Sequence, residues 1–469
     1  MHLYNQVADQ IKTLIEQGTL RPGERVPSVR KLSTQQGLSM STVLQAYALL
    51  ENRGFIEARP QSGYYVRLRS LNLPAQPAKS NPPPSPTEVG ISDLVSEIIK
   101  AAQDPKIVSL GITSPWVDLF PIQQLNRTMA SLGRRYPDAT FSYGWPPGYE
   151  ALRREIARRS LEWGGQLSKD DIVTTCGCIE ALNLCLKAVA KPGDTIAIES
   201  PTYFGILQVI ESLGMKVLEI PTCPSDGICI EAMGRALSKK KIKAAIVMTN
   251  FNNPLGSCMP EENKKALVEM LASQDIPLIE DDVDGDLYFS EERPKPAKYY
   301  DRKGLVLLCS SFSKTLAPGL RIGWVAPGKF REQIERLKFM STGGTPVLPQ
   351  MTIAHFLEYG GYDRHLRRLR KALATQVQLA THAISKYFPA GTKVTRPNGG
   401  HLLWVELPQK VDSLKLYQKA IEANISIAPG MIFSAKQKYP NFIRLNFGNA
   451  WSDSIEVALV KLGQLVSKS

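Results

Sequence analysis

Ser310-Ser311-Phe312-Ser313-Lys314-Thr315-Leu316-Ala317-Pro318-Gly319-Leu320-Arg321-Ile322-Gly323 follows a strand-like apolar run, Leu305–Leu308. A lysine at the end of such a strand, flanked by serines, suits a Schiff base with an aldehyde cofactor, in a pocket where the amine can lose its proton. Seven residues on, Arg321 reads as a bidentate phosphate ligand, with Ser311 and Ser313 as hydroxyl donors to the same phosphate. By itself a lysine after a strand is usually a solvated surface charge. Here it belongs to a series of strand ends with matching chemistry.

Thr175-Cys176-Gly177-Cys178-Ile179-Glu180 reads as strand, tight turn and helix start, and backbone N–H groups at a helix N-terminus make an anion cradle. In isolation it would be an ordinary strand-to-helix turn, with Cys176 and Cys178 as small core residues. Pro201-Thr202-Tyr203-Phe204-Gly205 follows another strand, and Tyr203 either stacks on an aromatic cofactor or simply packs. Asn253-Pro254-Leu255-Gly256 is a turn whose Asn side chain can donate to a phenolate oxygen. Glu280-Asp281-Asp282 ends an apolar strand, and a carboxylate there either pairs with a pyridinium nitrogen or caps a helix. Runs over 172–175, 195–199, 244–249, 277–280 and 305–308 alternate with helical patterns, which predicts a mostly parallel sheet covered by helices. Beyond about residue 330 a long basic helix and shorter elements follow.

Residues 1–70 read as a separate small domain. Leu3, Val7, Ile11 and Leu14 fall at helical spacing, and that helix stops near Gly18. A second short helix carries Val29 and Leu32. Ser39 caps a third that bears Val43, Tyr47 and Leu50. Two short strands then flank Arg59-Pro60-Gln61-Ser62-Gly63. Three helices and a wing make a winged helix-turn-helix whose third helix enters the major groove. Met40, Ser41, Thr42 and Gln45 are the candidate base or phosphate contacts on it. Ser28 and Arg30 at the second helix, and Arg59 and Gln61 at the wing, complete the DNA-binding set. Nine Lys and Arg against five Asp and Glu give this segment +4. Residues 71–90 form a proline-rich linker, with six prolines in 74–86, a composition that predicts an exposed, partly extended chain.

The N-terminal segment resembles the GntR family over about 65 nearly gapless residues. The match includes Leu20-Arg21-Pro22-Gly23-Glu24-Arg25-Val26-Pro27-Ser28-Val29-Arg30, Gly54-Phe55-Ile56 and Ser62-Gly63-Tyr64-Tyr65-Val66. From about residue 91 to 465 the five strand-end motifs, in order and spacing, resemble class I/II aminotransferases, fold-type I pyridoxal-phosphate enzymes. The resemblance implies a multidomain chain: an α+β winged helix, then residues 91–469 as an α/β transferase fold, with a large part at about 120–330 and a smaller α+β part at 331–469. It implies that Lys314 is the Schiff-base lysine, Asp281 the partner of the ring nitrogen, Asn253 the partner of the ring hydroxyl, and Tyr203 the ring-stacking residue. Lys314, Asp281 and Tyr203 are thereby the catalytic set. The Gly177, Cys178 and Ile179 backbone, Ser311, Ser313 and Arg321 would hold the phosphate. Arg444, in Phe442-Ile443-Arg444-Leu445-Asn446, matches the clamp for a substrate α-carboxylate. Tyr143 resembles the residue that reaches a neighbouring subunit's phosphate. Two positions depart from the family. Asp284 stands where a tyrosine often donates to the ring hydroxyl, and a carboxylate would repel that phenolate. Ile179 stands where a polar side chain is common.

The order of reader, linker and aminotransferase-like domain resembles the MocR subfamily of bacterial regulators. That implies a homodimeric, pyridoxal-phosphate-dependent regulator that binds promoter operator DNA and responds to the cofactor, an amino acid or an amine. The alternatives are a working aminotransferase with an accessory DNA reader, and a DNA-binding protein whose large domain only dimerises. A net charge of +13 over 469 residues favours polyanionic partners. No apolar run of about 18 residues predicts a membrane span, and the first residues lack a signal-peptide profile. Seven cysteines without a Cys-x-x-Cys pair, and only five histidines, read as reduced thiols in a cytoplasmic protein without a metal site.

Overall fold

A computed structural model of the chain describes residues 3–16, 19–59, 62–67, 73–101, 104–112, 117–239 and 241–469. They form two compact units: one runs to Leu73 and includes Gln378–Lys386, and the other holds Pro74–Val377 and Tyr387–Ser469. The smaller unit has helices α1 (Leu3–Glu16), α2 (Val29–Gln36) and α3 (Met40–Asn52) and strands β1 (Ile56–Arg59) and β2 (Gly63–Val66). The strands pair antiparallel, Ile56 opposite Val66. Their sequence explains the helix ends. Ser28 and Ser39 cap α2 and α3, accepting from the amides of Lys31 and Thr42, and Gly37 takes the left-handed conformation that closes α2. Val7, Ala8, Ile11, Leu32, Val43, Tyr47, Leu50 and Ile56 make one core. Leu3, read as part of the α1 stripe, is exposed, and Tyr4 and Ile15 pack on the core instead. The Tyr47 hydroxyl, carried into that core, donates to the Pro27 carbonyl at 2.6 Å and ties α3 to the turn before α2. The stop expected at Gly18 lies outside the described residues.

The larger unit contains β3 (Thr87–Glu88), β4 (Val108–Ser109), β5 (Val173–Thr175), β6 (Thr195–Ser200), β7 (Lys216–Cys223), β8 (Gly227–Ile228), β9 (Ala244–Val247), β10 (Leu278–Asp281), β11 (Val306–Ser311) and β12 (Gly323–Ala326). Then come β13 (Lys393–Val394), β14 (Leu402–Glu406), β15 (Ile425–Ser426), β16 (Ala428–Pro429) and β17 (Phe442–Asn446). The main sheet runs β3-β7-β6-β9-β10-β11-β12-β5, with β8 on β7. From β7 to β11 it is parallel. β12 lies antiparallel to both β11 and β5, so the sheet is mixed rather than simply parallel. Helices cover both faces. Ala197, Val247 and Leu278 pack with Met233, Leu267 and Leu271 on one side; Leu308, Ile322 and Ala326 pack with Leu152, Ile156, Ile353 and Leu366 in another cluster. The smaller part of this unit is a four-stranded antiparallel sheet, β13-β14-β17-β16. Because β6, β9, β10 and β11 point the same way, the residues that follow them emerge at one sheet edge, the usual ligand edge of such sheets. No helix among the described residues is long and apolar enough to cross a membrane.

The proline-rich stretch from Pro74 is extended, but it is not a free linker. It lies along the larger unit as a strap. Ala75 accepts from the Val394 amide at 2.9 Å, the Ser80 amide donates to the Thr222 carbonyl at 3.1 Å, and the Thr222 amide donates back to the Ser80 hydroxyl at 2.8 Å. Lys436 Nζ reaches the Ser85 hydroxyl at 2.7 Å, and β3 pairs with β7. Pro77 and Pro82 are buried. Replacing Ser80 by Ala removes the acceptor of the buried Thr222 amide. Hydrogen exchange at Thr222 is expected to quicken about tenfold, as for loss of one buried bond, with the amides of α3 unchanged. Unaltered exchange at Thr222 would show that the strap is held elsewhere.

Candidate functional site

The anion cradle begins at Gly177. This residue adopts φ 82° and caps the helix Cys178–Val189 without any side-chain bond of its own. A Cβ here would lie 2.5 Å from the Arg321 guanidinium, and a Cβ on Gly323 would lie 2.5 Å from the Gly177 carbonyl carbon. Two glycines therefore let β12 bring Arg321 against the helix N-terminus. Arg321 donates to the Cys176 carbonyl at 3.4 Å. Ser311 is buried, and its hydroxyl accepts from the Ser313 amide at 3.3 Å. The turn is braced from below. Glu180 accepts from the Cys176 amide at 2.5 Å and from the buried Lys338 ammonium at 2.7 Å. The Ile179 side chain is exposed at the rim. Such an arrangement offers an anion backbone N–H groups and one fixed cation.

The three acids ending β10 have separate fates. Glu280 accepts from the Ala297 amide at 2.6 Å, from the Lys298 amide at 2.9 Å and from the Thr249 hydroxyl. Asp282 accepts from Asn250 at 2.8 Å and from Arg293 at 2.6 Å. Among the described residues Asp281 has only the Cys178 thiol at 3.4 Å and the Val283 amide at 3.2 Å. Without a paired cation, burial pushes it up to about 7.

Opposite lie the amine and its neighbours. Burial lowers the Lys314 amine below its ordinary value, opposed by Asp284 and reinforced by Arg444. Asp284 is itself pushed up to about 6 by burial, against the pull of Lys314, and its Oδ1 has no hydrogen-bond partner among the described residues. Asp284 thus stays the departure seen in the sequence, an acid whose hold on its proton burial strengthens. Arg444 is fully buried in β17. Its NH1 donates to Asn253 Oδ1 at 3.2 Å and its NH2 to the Gly111 carbonyl, while Phe433 lies under the guanidinium at 5.0 Å. Burial lowers it to about 9. Asn253 uses its carbonyl on Arg444, which leaves its amide N–H₂ as the outward donor. Tyr203 starts the helix Phe204–Ser212, and Arg444, Asp281 and Asp284 all act on its hydroxyl, which burial pushes up to about 12. Gly177, Tyr203, Asn253, Asp281, Ser311, Lys314, Arg321 and Arg444 thus meet at one edge of the sheet and its facing subdomain.

Sequence reasoning passed over His401. It precedes β14, is fully buried, and neither ring nitrogen has a partner among the described residues. Burial, Lys314 and Arg444 all hold it well below its ordinary value. Its only sequence signal is a lone histidine between Gly399-Gly400 and an apolar run. Tyr143 sits apart from the cluster. It is 77% exposed and stacks on Trp145 at 4.7 Å, beside the exposed Phe339.

In the smaller unit Arg30, Met40, Ser41 and Gln45 are exposed. Ser28 spends its hydroxyl on the α2 cap, and the hydroxyls of Ser41 and Thr42 both meet Ser39 at 2.8 Å. Arg59 lies over the Tyr65 ring at 4.4 Å and pairs with Glu57 at 2.7 Å. Both partners are well solvated, so the pair is weak and a phosphate can compete for the arginine. Gln61 lies outside the described residues.

Comparison with known proteins agrees with this division. Residues 122–462 match the family "Aminotransferase class I and II", and residues 3–66 match "Bacterial regulatory proteins, gntR family". The uncharacterized HTH-type transcriptional regulator YdcR of Escherichia coli (strain K12) is 42% identical, over the full length of both chains. Among solved structures, kynurenine aminotransferase of Pyrococcus horikoshii, in complex with PMP, superposes with a TM-score of 0.75 at 30% identity, covering 80% of this chain and 94% of that one. LysN, the α-aminoadipate aminotransferase of Thermus thermophilus, complexed with N-(5'-phosphopyridoxyl)-L-leucine, gives 0.73 at 26%, covering 81% and 99%. The chain belongs to the aminotransferase class I and II family, joined behind a gntR-type reader in the MocR manner.

Proposed function

We propose that this chain, an HTH-type transcriptional regulator, binds pyridoxal 5'-phosphate in its aminotransferase-like unit and alters its DNA binding when an amino acid or amine enters there. Asp281 carries the reading. Of three consecutive acids it alone has neither a cation nor a helix to cap, and a cationic ring nitrogen is what its burial calls for. The glycine cradle, the outward Asn253 amide and the Lys314 amine fit the same group. When bound, the cofactor supplies an aldehyde for capturing amines and an electron-withdrawing ring. Arg321, Ser311, Ser313 and the amides of Gly177, Cys178 and Ile179 would hold its phosphate. Tyr203 would pack on the ring, and Asn253 would donate to its hydroxyl. Lys314, whose amine burial lowers below its ordinary value, would anchor the cofactor, and Arg444 would orient a carboxylate. A second copy of the chain would cover the exposed Tyr143, Trp145 and Phe339, which suits a homodimer. Residues 1–70 would act as the DNA reader, with α3 in the major groove.

Lys314→Ala is expected to abolish covalent attachment: borohydride treatment of the wild type should fix a pyridoxyl group on the peptide containing Lys314, and leave none on the variant. A wild type that takes up no pyridoxal phosphate would overturn the cofactor assignment. Ordinary aminotransferase turnover, about 1 per second or faster, with no ligand effect on DNA affinity, would favour the enzyme over the sensor.

Asp281 also predicts a pH signature. Its folded pKa, about 7, lies above the unfolded value of about 3.9. The native state then binds more protons than the unfolded chain, so the stability it contributes is full at low pH and is lost as pH rises towards 7. A cationic ring partner removes that loss. The melting-temperature gain on cofactor loading is therefore expected to be larger at pH 8 than at pH 5.5, and Asp281→Asn should flatten the difference. An equal gain at both values would contradict the pairing.

For the reader, Arg30→Ala is expected to weaken binding to a promoter fragment about equally across sequences and to lower the salt slope by about one. Fluorescence anisotropy at several salt concentrations measures both. An unchanged slope would remove Arg30 from the phosphate contacts.

A further inference from the structure

His401 has no structural employment for its ring. Its backbone is fixed, because the Phe447 amide donates to its carbonyl at 2.8 Å and the neighbouring Gly400 amide donates to Leu287 at 2.9 Å. The ring itself is fully buried, and Nδ1 and Nε2 are both without a partner among the described residues. A core histidine in a finished interior bonds at least one nitrogen. Arg444 has the same deficit: NH1 and NH2 are bound, while its buried Nε has no partner among the described residues.

The charged groups around the ring say what it would accept. Lys314, after β11, and Arg444, from β17, are the two charges that act on it, and both are cations. On the loop packed beside it, Asp286 is committed to Arg293 at 2.6 Å. Asp284 keeps Oδ1 unbonded, and no bond joins it to His401. An amine would be repelled here by two cations. An anion would be drawn in by both and would meet open donor positions on Arg444 and His401.

We propose that His401 is a ligand-binding residue that donates its ring N–H to the same carboxylate that Arg444 holds, so that the pocket selects amino acids over amines. This rests on the amino-compound pocket described above. In the absence of ligand, burial and the two cations keep the ring neutral. A carboxylate between ring and guanidinium offsets those cations, so binding brings a proton onto His401 and tightens as pH falls towards the ring's own range.

The test uses the cofactor-loaded protein with 13Cε1-labelled histidine, in which only five signals occur because the chain has five histidines. His401→Asn identifies the signal by its loss. The probe is propionate, a carboxylate without an amine, with propylamine as its converse. Propionate is expected to shift the His401 titration upward until the ring is partly charged at about pH 6. Calorimetry in two buffers should register the accompanying proton uptake. His401→Phe should weaken propionate about tenfold, the loss of one charge-assisted bond. His401→Asn, which keeps a neutral donor, should recover most of the affinity and lose the proton uptake. Propylamine should leave the signal in place. If propionate binds with Arg444 dependence while the His401 signal and the His401→Phe affinity stay unchanged, the role of His401 is overturned and the pocket survives. A His401→Phe protein that loses cofactor and not propionate overturns it too. If wild-type protein binds no carboxylate through Arg444, the pocket reading falls, and this inference with it.

Discussion

Much of the site depends on one close approach, the contact of Gly177 with Gly323. Backbone meets backbone there, since a Cβ on either residue would strike the other turn or Arg321. The contact exists because β12 runs antiparallel between β11 and β5, which sets Gly323 opposite Thr175. It has three results. The helix Cys178–Val189 keeps its first amides open. Arg321 folds across them in the left-handed conformation, φ 55°. The Ser311–Lys314 turn is drawn to the same edge as Asp281, since β11 pairs in parallel with β10. The Gly177 turn, Lys314 and Asp281 are thus brought together by one stack of hydrogen-bonded strands.

The sequence disclosed this edge well because its chemistry is local. Lys314 and Arg321 share one short window, Gly177 begins a helix, and Asp281 ends an apolar run, so strand-end position alone predicts where they point. In the smaller unit the apolar spacing, Leu3 apart, and the Ser39 cap were equally readable. What the sequence hid is held together over long separations. β12 is four residues long and begins only at the last residue of the stretch read for its phosphate chemistry, so the antiparallel insertion was invisible. His401 feels the charges of Lys314 and Arg444 from far along the chain, its place set by the pairing of β14 with β17. Lys338 reaches Glu180 across 158 residues.

The strap is the clearest case of composition misleading. Six prolines cannot make a core, and that reasoning holds. Yet proline has no N–H to satisfy, so an extended proline chain can lie on a surface and need few bonds. Ser80 supplies the regular pairing with Thr222, while Lys436 and Arg396 supply side-chain contacts to Ser85 and Pro74. Thr222 in turn accepts from the Ser200 amide at 3.0 Å, at the start of the turn that leads to Tyr203. The strap is therefore anchored on the strand pair that leads to Tyr203.

The charges in the pocket are also left incomplete in a consistent way. Asp281 and Asp284 are both raised, and Lys314, Arg444 and His401 are all lowered, in each case chiefly by burial. Each group is thus displaced towards its neutral form. A protein interior tolerates that only when the missing counter-charges arrive from outside. A phosphate, a ring cation and a carboxylate would answer the cradle, Asp281 and Arg444 respectively. A pocket of this kind would hold ligands through charges the polypeptide leaves uncompensated. Their arrival would change the protonation and bonding of groups on β10, β11, β14 and β17 together. Such a site differs most between its filled and empty states, and a regulator can draw its signal only from that difference.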